Sequence, residues 1–235
     1  MAQHPASGSA YGAAYAAWRA DPEAWWREAA AGIDWHTPFE AVFDPQSGPY
    51  GRWFPGGALN TCHNCLDRHV AAGRGAQAAL IWDSPVTGGL RRLSYAELRD
   101  ATARLAGALA ARGVGRGDRV VIYMPMVPEA AIAMLARARL GAIHSVVFGG
   151  FAAPELAARI ADATPKAVIS ASCGIEPGRL VPYKPLLDRA IELSPHKPGF
   201  CLILQRPQHE AGLRAGRDED LLAAMAAAAP HPPVP

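Results

Sequence analysis

The distribution of apolar and polar positions along the chain divides it near residue 76. Beyond that point, short apolar runs alternate with segments whose apolar residues recur at helical spacing. Apolar residues at 78–82 and the segment 92–94 flank the turn Val86-Thr87-Gly88-Gly89, a pattern that predicts a β-hairpin. Ser94 and Glu97 then form a capping box ahead of an amphipathic helix that ends at Gly113. This half of the chain therefore combines strands with helices.

The same alternation continues to about residue 204 and predicts the fold class. Strands are expected at 120–124, 143–148, 167–171 and 200–204, and helices at 128–140, 154–163 and 185–193. Apolar strands joined by helices indicate a doubly wound, mostly parallel α/β sheet with helices on both faces. Ligands of such sheets bind in loops at the carboxyl ends of the strands.

The two ends of the chain follow different patterns. We expect residues 1–10 to be disordered and residues 11–75 to form an N-terminal wrap, helical after Asp21-Pro22 and then irregular and rich in aromatic residues. Residues 76–229 form the α/β domain, whose last helix is expected at 218–229. The proline-rich residues 230–235 are predicted to be a linker or a truncation point.

Composition narrows the functional class. The 235 residues are 50% apolar and carry a net charge of only +2, with basic residues scattered among acidic ones. This pattern does not favour nucleic acid or an anionic membrane as partner, so small-molecule substrates are expected. No signal peptide or membrane span is evident, which predicts a cytoplasmic protein with four reduced cysteines.

One cysteine pair superficially resembles a metal site. Cys62 and Cys65 form a C-x-x-C motif, with Asp67 and His69 nearby. A structural zinc site needs about four ligands, and no second pair occurs at suitable spacing. We therefore interpret this segment as the start of a helix capped by Asn60 or Thr61, and we predict no metal.

Two turns after predicted strands are the candidate binding residues. Phe148-Gly149-Gly150 follows one strand and precedes a helix, so its backbone and the helix amides are available to an anion. Glu176-Pro177-Gly178-Arg179 follows the next strand, and Arg179 is suited to bidentate phosphate binding. If those strands are neighbours in the sheet, the two turns face one crevice. Taken alone, either turn also fits an ordinary solvated loop.

Longer motifs resemble a known family. Residues 52–57, 64–69, 117–126 and 144–151 resemble conserved segments of the AMP-forming acetyl- and propionyl-CoA synthetases, and the resemblance runs from about Tyr15 to the end of the chain. Residues 172–179 and 181–185 look more like the propionate branch. The family joins a carboxylic acid to ATP and passes the acyl group from the acyl-adenylate to CoA.

The resemblance implies a partial cofactor site. In the family, the adenine and 3′-phosphate end of CoA lies against segments that correspond here to Phe148, Gly149 and Gly150 and to the loop Glu176, Pro177, Gly178 and Arg179. Relatives that activate acetate carry arginine at the position of Glu176, which puts a phosphate contact at that position in doubt.

The sequence lacks the rest of the family's machinery. It contains no Ser/Thr/Gly-rich phosphate loop with lysine, so the sites for ATP and Mg²⁺ and the catalytic residues are expected downstream. We therefore expect an N-terminal fragment of a propionate-CoA ligase that is inactive alone and whose partner is the missing downstream portion. The alternatives are a CoA- or nucleotide-binding module without catalysis and a non-functional remnant of a split gene.

Overall fold

The computed structural model describes residues 9–235, and this part of the chain divides after Asn60 into two compact units. The expected disorder of residues 1–8 lies outside the described residues. Residues 9 and 10, for which disorder was also expected, instead begin a helix, because the Ser9 side chain accepts a hydrogen bond from the Gly12 amide. Residues 61–75, which we had assigned to the wrap, group with the α/β unit.

The first unit contains two helices and a minimal sheet. The elements are α1 (Ala10–Ala20), α2 (Pro22–Ala31), β1 (Phe43–Asp44) and β2 (Arg52–Trp53), with β1 and β2 antiparallel. Asp21 caps α2 as predicted, since its Oδ1 accepts from the Ala24 amide at 2.9 Å. The rings of Trp35, Phe39 and Phe54 pack with centroids 5.0–5.5 Å apart and hold the irregular segment together.

The second unit contains the α/β fold. It begins with a helical segment that includes π-type turns at His63–Asp67 and Val70–Arg74. Its strands are β3 (Ala78–Ser84), β4 (Gly89–Ser94), β5 (Arg119–Met124), β6 (Ile143–Phe148), β7 (Ala167–Ala171), β8 (Cys173–Glu176), β9 (Arg179–Pro182), β10 (Phe200–Leu204) and β11 (Asp218–Asp220). Its further helices are α3 (Tyr95–Ala111), α4 (Pro128–Arg139), α5 (Ala153–Ala163), α6 (Tyr183–Leu193) and α7 (Leu221–Ala227).

The central sheet confirms the predicted fold class. Five parallel strands lie in the order β11-β10-β7-β5-β6. The chain moves from β5 to β6 in one direction and then crosses β5 to reach β7 on the other side. This reversal is the topological switch beside which doubly wound sheets bind ligands. It also means that β6 and β7 are not neighbours, because β5 lies between them. The expectation that the two candidate turns share a crevice assumed that these strands were adjacent, and that assumption is wrong.

The two faces of the sheet are covered by separate helical layers. Val120, Ile122 and Met124 of β5 face a core built from α3, α4 and α7, whereas Val121 and Tyr123 face a core built from α5 and α6. Alternate residues of a strand point to opposite faces, so a strand covered on both sides must be apolar throughout. Each fully buried aliphatic side chain of this kind contributes about 1.5–3 kcal/mol.

The hairpin and the helix that precede the central sheet also match their sequence signals. Strands β3 and β4 pair antiparallel as the predicted hairpin. The capping box of α3 is complete, because the Ser94 amide donates to the Glu97 side chain and the Glu97 amide donates to Ser94 Oγ. The helix ends at Ala111, and Gly113 just beyond it has a φ of 81°, the left-handed conformation typical of the residue after a helix C-terminus.

The segment 218–229, predicted to be one charged helix, begins as a strand. Residues 218–220 form β11 at the sheet edge, and α7 starts only at Leu221. Asp218 is accommodated there because Lys184 Nζ lies 2.8 Å and Arg217 Nε 2.6 Å from its carboxylate. Burial raises the pKa of Asp218, but the hydrogen bonds from Arg217 and Lys184 prevail and lower it to about 2. The acidic residues therefore form a compensated strand rather than a solvated helix.

The chain after α7 packs on the domain rather than forming the expected linker. The His231 amide donates to the Ala103 carbonyl in α3, and the Val234 amide donates to the Arg139 carbonyl in α4, both at 2.9 Å. Gly107 permits this crossing, since a Cβ at that position would lie 1.9 Å from the Ala229 carbonyl oxygen. Residues 230–234 are thus an ordered strap across α3 and α4.

Arg139 ties this strap to the helical segment at the start of the unit. Its Nη1 and Nη2 donate to the two carboxylate oxygens of Asp67 at 2.7 and 2.9 Å, and its Nε donates to the His231 carbonyl at 2.6 Å. Its Nη1 also reaches Cys62 Sγ at 3.5 Å. One buried guanidinium therefore connects three separate segments of the chain.

Candidate functional site

The first predicted turn lies where the edge strand β6 ends. The Phe151 amide donates to the Phe148 carbonyl at 3.1 Å, which closes Phe148-Gly149-Gly150-Phe151 into a β-turn. The Phe148 side chain projects outward and is 71% exposed, although its ring contacts that of Phe151 at 5.8 Å. Helix α5 follows directly and has no side-chain cap at its first turn. The turn thus presents an exposed aromatic ring directly before the N-terminus of α5.

The second predicted turn is the tip of a hairpin rather than a loop. Strands β8 and β9 pair antiparallel, with Glu176 opposite Arg179. Pro177 and Gly178 form the tip, and Gly178 has a φ of 69°, which suits the third position of a type II turn. Sequence reasoning missed these strands because each has only four residues, and the segment after β7 carries the proline and glycine of a loop.

At the tip, Arg179 is paired but accessible. Its Nη2 lies 2.7 Å from Glu176 Oε2, and its side chain is 69% exposed. The pair therefore consists of one exposed guanidinium and one exposed carboxylate. Exposed pairs of this kind contribute about 0–1 kcal/mol, so Glu176 holds Arg179 only weakly.

Tyr183, at the start of α6, packs against the first turn and against the base of the hairpin. A Cβ added to Gly149 would lie 2.3 Å from the Tyr183 hydroxyl, and one added to Gly174 would lie 2.5 Å from the same ring. Burial raises the pKa of Tyr183, and the nearby charge of Glu176 raises it further. The turn after β6 and the hairpin after β7 therefore flank a single ring, although β5 separates their strands.

A second tyrosine supports this arrangement from β5. The rings of Tyr123 and Tyr183 stack with centroids 4.9 Å apart, and Tyr123 Oη donates to the Phe151 carbonyl at 2.9 Å. Tyr123 is fully buried, and burial raises its pKa to about 12, so its hydroxyl stays protonated and remains a donor. The two stacked rings fix the height of the glycine turn above the sheet.

These contacts change the interpretation of the glycines. Gly149 is buried and lacks a side chain because Tyr183 occupies that space, so its requirement is one of packing. Gly150 is exposed, and its Cβ position would lie 2.5 Å from the ring of Phe148. Tyr183 has no signal of its own in the sequence, and only the glycines at 149 and 174 are consistent with a bulky neighbour.

The cysteine motif has a structural environment. Cys62 is buried, and burial raises the pKa of its thiol to about 11. Asp67, which the metal interpretation would use as a ligand, instead binds Arg139. Among residues 9–235, no group of three or more His, Cys, Asp or Glu side chains is placed to hold a metal ion.

Comparison with known proteins places the chain in a family. The model of the AMP-binding enzyme family matches residues 67–233, and that of the acetyl-coenzyme A synthetase N-terminus matches residues 11–65. The chain belongs to the AMP-binding enzyme family. Within this family it aligns with short-chain acyl-CoA synthetases.

Three relatives indicate how much of a family member the chain represents. It is 56% identical over 216 residues to an uncharacterised protein of Pseudomonas aeruginosa, covering 92% of this chain and 34% of that protein. It is 47% identical to the human acyl-CoA synthetase short-chain family member 3, mitochondrial, covering 97% of this chain and 34% of the relative. It is 46% identical to propionate-CoA ligase of Escherichia coli, covering 85% and 32%. The chain thus spans about a third of the length of these relatives.

A solved structure supports the same fold. Acetoacetyl-CoA synthetase from Streptomyces lividans superposes with a TM-score of 0.83 at 25% identity, covering 99% of this chain and 35% of that one.

In residues 9–235 we find no helix of the length and apolar character needed to cross a bilayer.

Proposed function

We propose that this chain is the N-terminal part of a short-chain acyl-CoA synthetase and that it contributes part of the CoA site. The complete enzyme would convert a carboxylate, CoA and ATP to acyl-CoA, AMP and diphosphate through an acyl-adenylate. Propionate is the proposed acid, because residues 172–179 and 181–185 resemble the propionate branch. The resemblance implies that the acyl pocket lies downstream, so the choice of acid rests on that resemblance.

The observation that carries the proposal is that Tyr183 packs against both Gly149 of the first turn and Gly174 at the base of the hairpin. The exposed ring of Phe148 and the exposed guanidinium of Arg179 belong to the two segments that Tyr183 contacts, which follow β6 and β7 on either side of the switch point. Phe148 is the ring on which the adenine of CoA would stack, a contact worth about 1–3 kcal/mol per base in nucleic-acid complexes. Gly149 and Gly150 supply the turn that presents it.

Arg179 is the residue proposed to bind the 3′-phosphate. A charge-assisted hydrogen bond to phosphate contributes about 1.5–3 kcal/mol, more than the exposed pair with Glu176 that it replaces. Glu176 would then turn away from the phosphate, while Pro177 and Gly178 hold the hairpin tip in shape. Release of Arg179 from Glu176 is therefore the expected rearrangement on binding.

Calorimetric titration of the chain with CoA and with dephospho-CoA tests this assignment. We expect saturable binding of CoA. The affinity should fall by about 10-fold or more when dephospho-CoA replaces CoA, and equally when Arg179→Ala replaces the original chain, as loss of one charge-assisted bond implies. Arg189→Ala is the matched control, because Arg189 forms a similar i,i+3 pair with Glu192 and is 61% exposed. Equal affinity for the two ligands, or an equal loss in both variants, would refute a phosphate contact at Arg179.

Catalysis is expected to need the remainder of a full-length family member. The residues of this chain supply no Ser/Thr/Gly-rich phosphate loop, so ATP and Mg²⁺ have no fitted site here. Loss of a single electrostatic stabiliser typically costs about 10²–10³ in rate, so loss of the whole group should abolish turnover. An assay with ATP, propionate and CoA checks this, and formation of acyl-CoA by the purified chain would contradict it.

Two further features of the proposal follow from the sequence. The partners are small molecules and the downstream portion of the enzyme, with neither nucleic acid nor membrane expected. The cytoplasm is the proposed location, although the human relative is named as mitochondrial. If CoA binds without any turnover even in a reconstituted full-length enzyme, the non-catalytic binding module is the better description.

A further inference from the structure

Strand β6 leaves one edge of the five-stranded sheet open. It pairs with β5 on one side, and within the described chain no strand pairs with its other side. Ile143 is 55% exposed on one face of β6, and Val146 is similarly exposed on the opposite face. An uncovered edge with apolar side chains on both faces is a template for another strand.

Beside this edge lies a buried charge whose polar atoms lack partners in the described chain. Arg137, near the end of α4, is fully buried, and none of its three guanidinium nitrogens has a hydrogen-bond partner within residues 9–235. Burial lowers the pKa of Arg137 to about 9. Burial also lowers the pKa of His144 on β6, and the nearby charge of Arg137 lowers it further. A buried unpaired guanidinium is strongly unfavourable, and an incoming carboxylate would relieve it.

The strap leads the chain to the same place. Val234 hydrogen-bonds the Arg139 carbonyl at the end of α4, and its side chain lies 3.4 Å from the Cβ position of Gly141, two residues before β6 begins. The relatives are about three times as long as the matched region, which corresponds to their N-terminal part. Polypeptide that follows the strap in such a protein therefore starts next to the open edge.

We propose that a segment following residue 235 in the full-length protein pairs with the open edge of β6 and brings a carboxylate to Arg137. A second copy of this chain fits less well, because a symmetric pairing of two β6 edges would bring two Arg137 guanidinium groups together and supply no carboxylate. The inference does not depend on CoA binding, since neither Phe148 nor Arg179 takes part in it.

The first experiment compares this chain with a single polypeptide in which it is joined to the downstream part of the Pseudomonas aeruginosa relative. Hydrogen exchange at β6 is expected to be at least about 10-fold slower in the fusion than in the chain alone. Ile143→Asp should lower the Tm of the fusion by several degrees, whereas Ile81→Asp, at 54% exposure on β3, should change it little. Equal exchange in both proteins, or a β6 edge already protected in a dimer of this chain, would overturn the proposal.

The second experiment tests Arg137 by whether one substitution raises or lowers the Tm. Arg137→Met removes an unpaired charge from the chain alone and should raise its Tm, whereas in the fusion it should leave a carboxylate unpaired and lower the Tm. A lowered Tm in the chain alone would show that Arg137 already has a partner there. A raised Tm in both proteins would show that no carboxylate reaches it. The measurement on the chain alone needs no fusion, and it tests the premise that Arg137 is unpaired there even if the fusion fails to fold.

Discussion

Replacement of Asp67 by asparagine should destabilise the α/β unit far more than a surface substitution of the same chemistry. The substitution keeps an oxygen near Arg139 but removes the charge that compensates a guanidinium with only 5% of its side chain exposed. Breaking a buried pair by removing one partner costs about 3–5 kcal/mol. Because one acceptor remains, we expect the lower end, about 3 kcal/mol, which for a chain of this length corresponds to a fall in Tm of about 6–12 °C.

Thermal unfolding followed by circular dichroism measures this effect, with Asp100→Asn as the control. Asp100 pairs with Arg99 on the surface at 2.8 Å, and exposed pairs contribute at most about 1 kcal/mol. The double variant Asp67→Leu with Arg139→Met should recover much of the loss, since apolar replacement of a whole buried pair is often neutral. The reasoning fails if Asp67→Asn and Asp100→Asn shift the Tm equally.

Three further predictions concern other parts of the α/β unit. The folded pKa of Asp218, about 2 against an ordinary 3.8, implies about 2 kcal/mol of stability that is present above about pH 5 and is lost as the pH falls towards 2; urea unfolding across this range should show the loss, and Asp218→Asn should lack it. Gly107→Ala should lower the Tm by several degrees, because its Cβ would meet the Ala229 carbonyl, whereas Gly115→Ala, with open space around it, should not. Mass spectrometry after maleimide treatment of the native protein should find one modified thiol, that of the exposed Cys65, and modification of all four would contradict the buried positions of the others.

The strands and helices of the sheet were predictable because their signals are local. Continuous apolar runs such as 120–124 and capping signals such as Ser94 with Glu97 depend on residues close in sequence. The order of strands is different, since it depends on which long-range pairings bury the most surface. Placement of β5 between β6 and β7 left no mark in the pattern of either strand.

The candidate site shows the same division. The glycine turn and Arg179 were found from their positions after strands, but the residue that packs against the glycine turn and the base of the hairpin was not. Tyr183 is revealed only by the space that Gly149 and Gly174 leave for its ring. Likewise Asp218 was assigned to a helix, because the charges of Lys184 and Arg217 that stabilise it in a strand come from distant elements.

The strap over α3 and α4 has a mechanical consequence. A pulling force applied at Val234 acts first on its hydrogen bond to the Arg139 carbonyl. The guanidinium of Arg139 also donates hydrogen bonds to the His231 carbonyl and to the Asp67 carboxylate. Pulling from this end would therefore stretch several hydrogen bonds in parallel before α7 peels away, so the strap works as an anchor that shields the last helix from strain transmitted along the polypeptide.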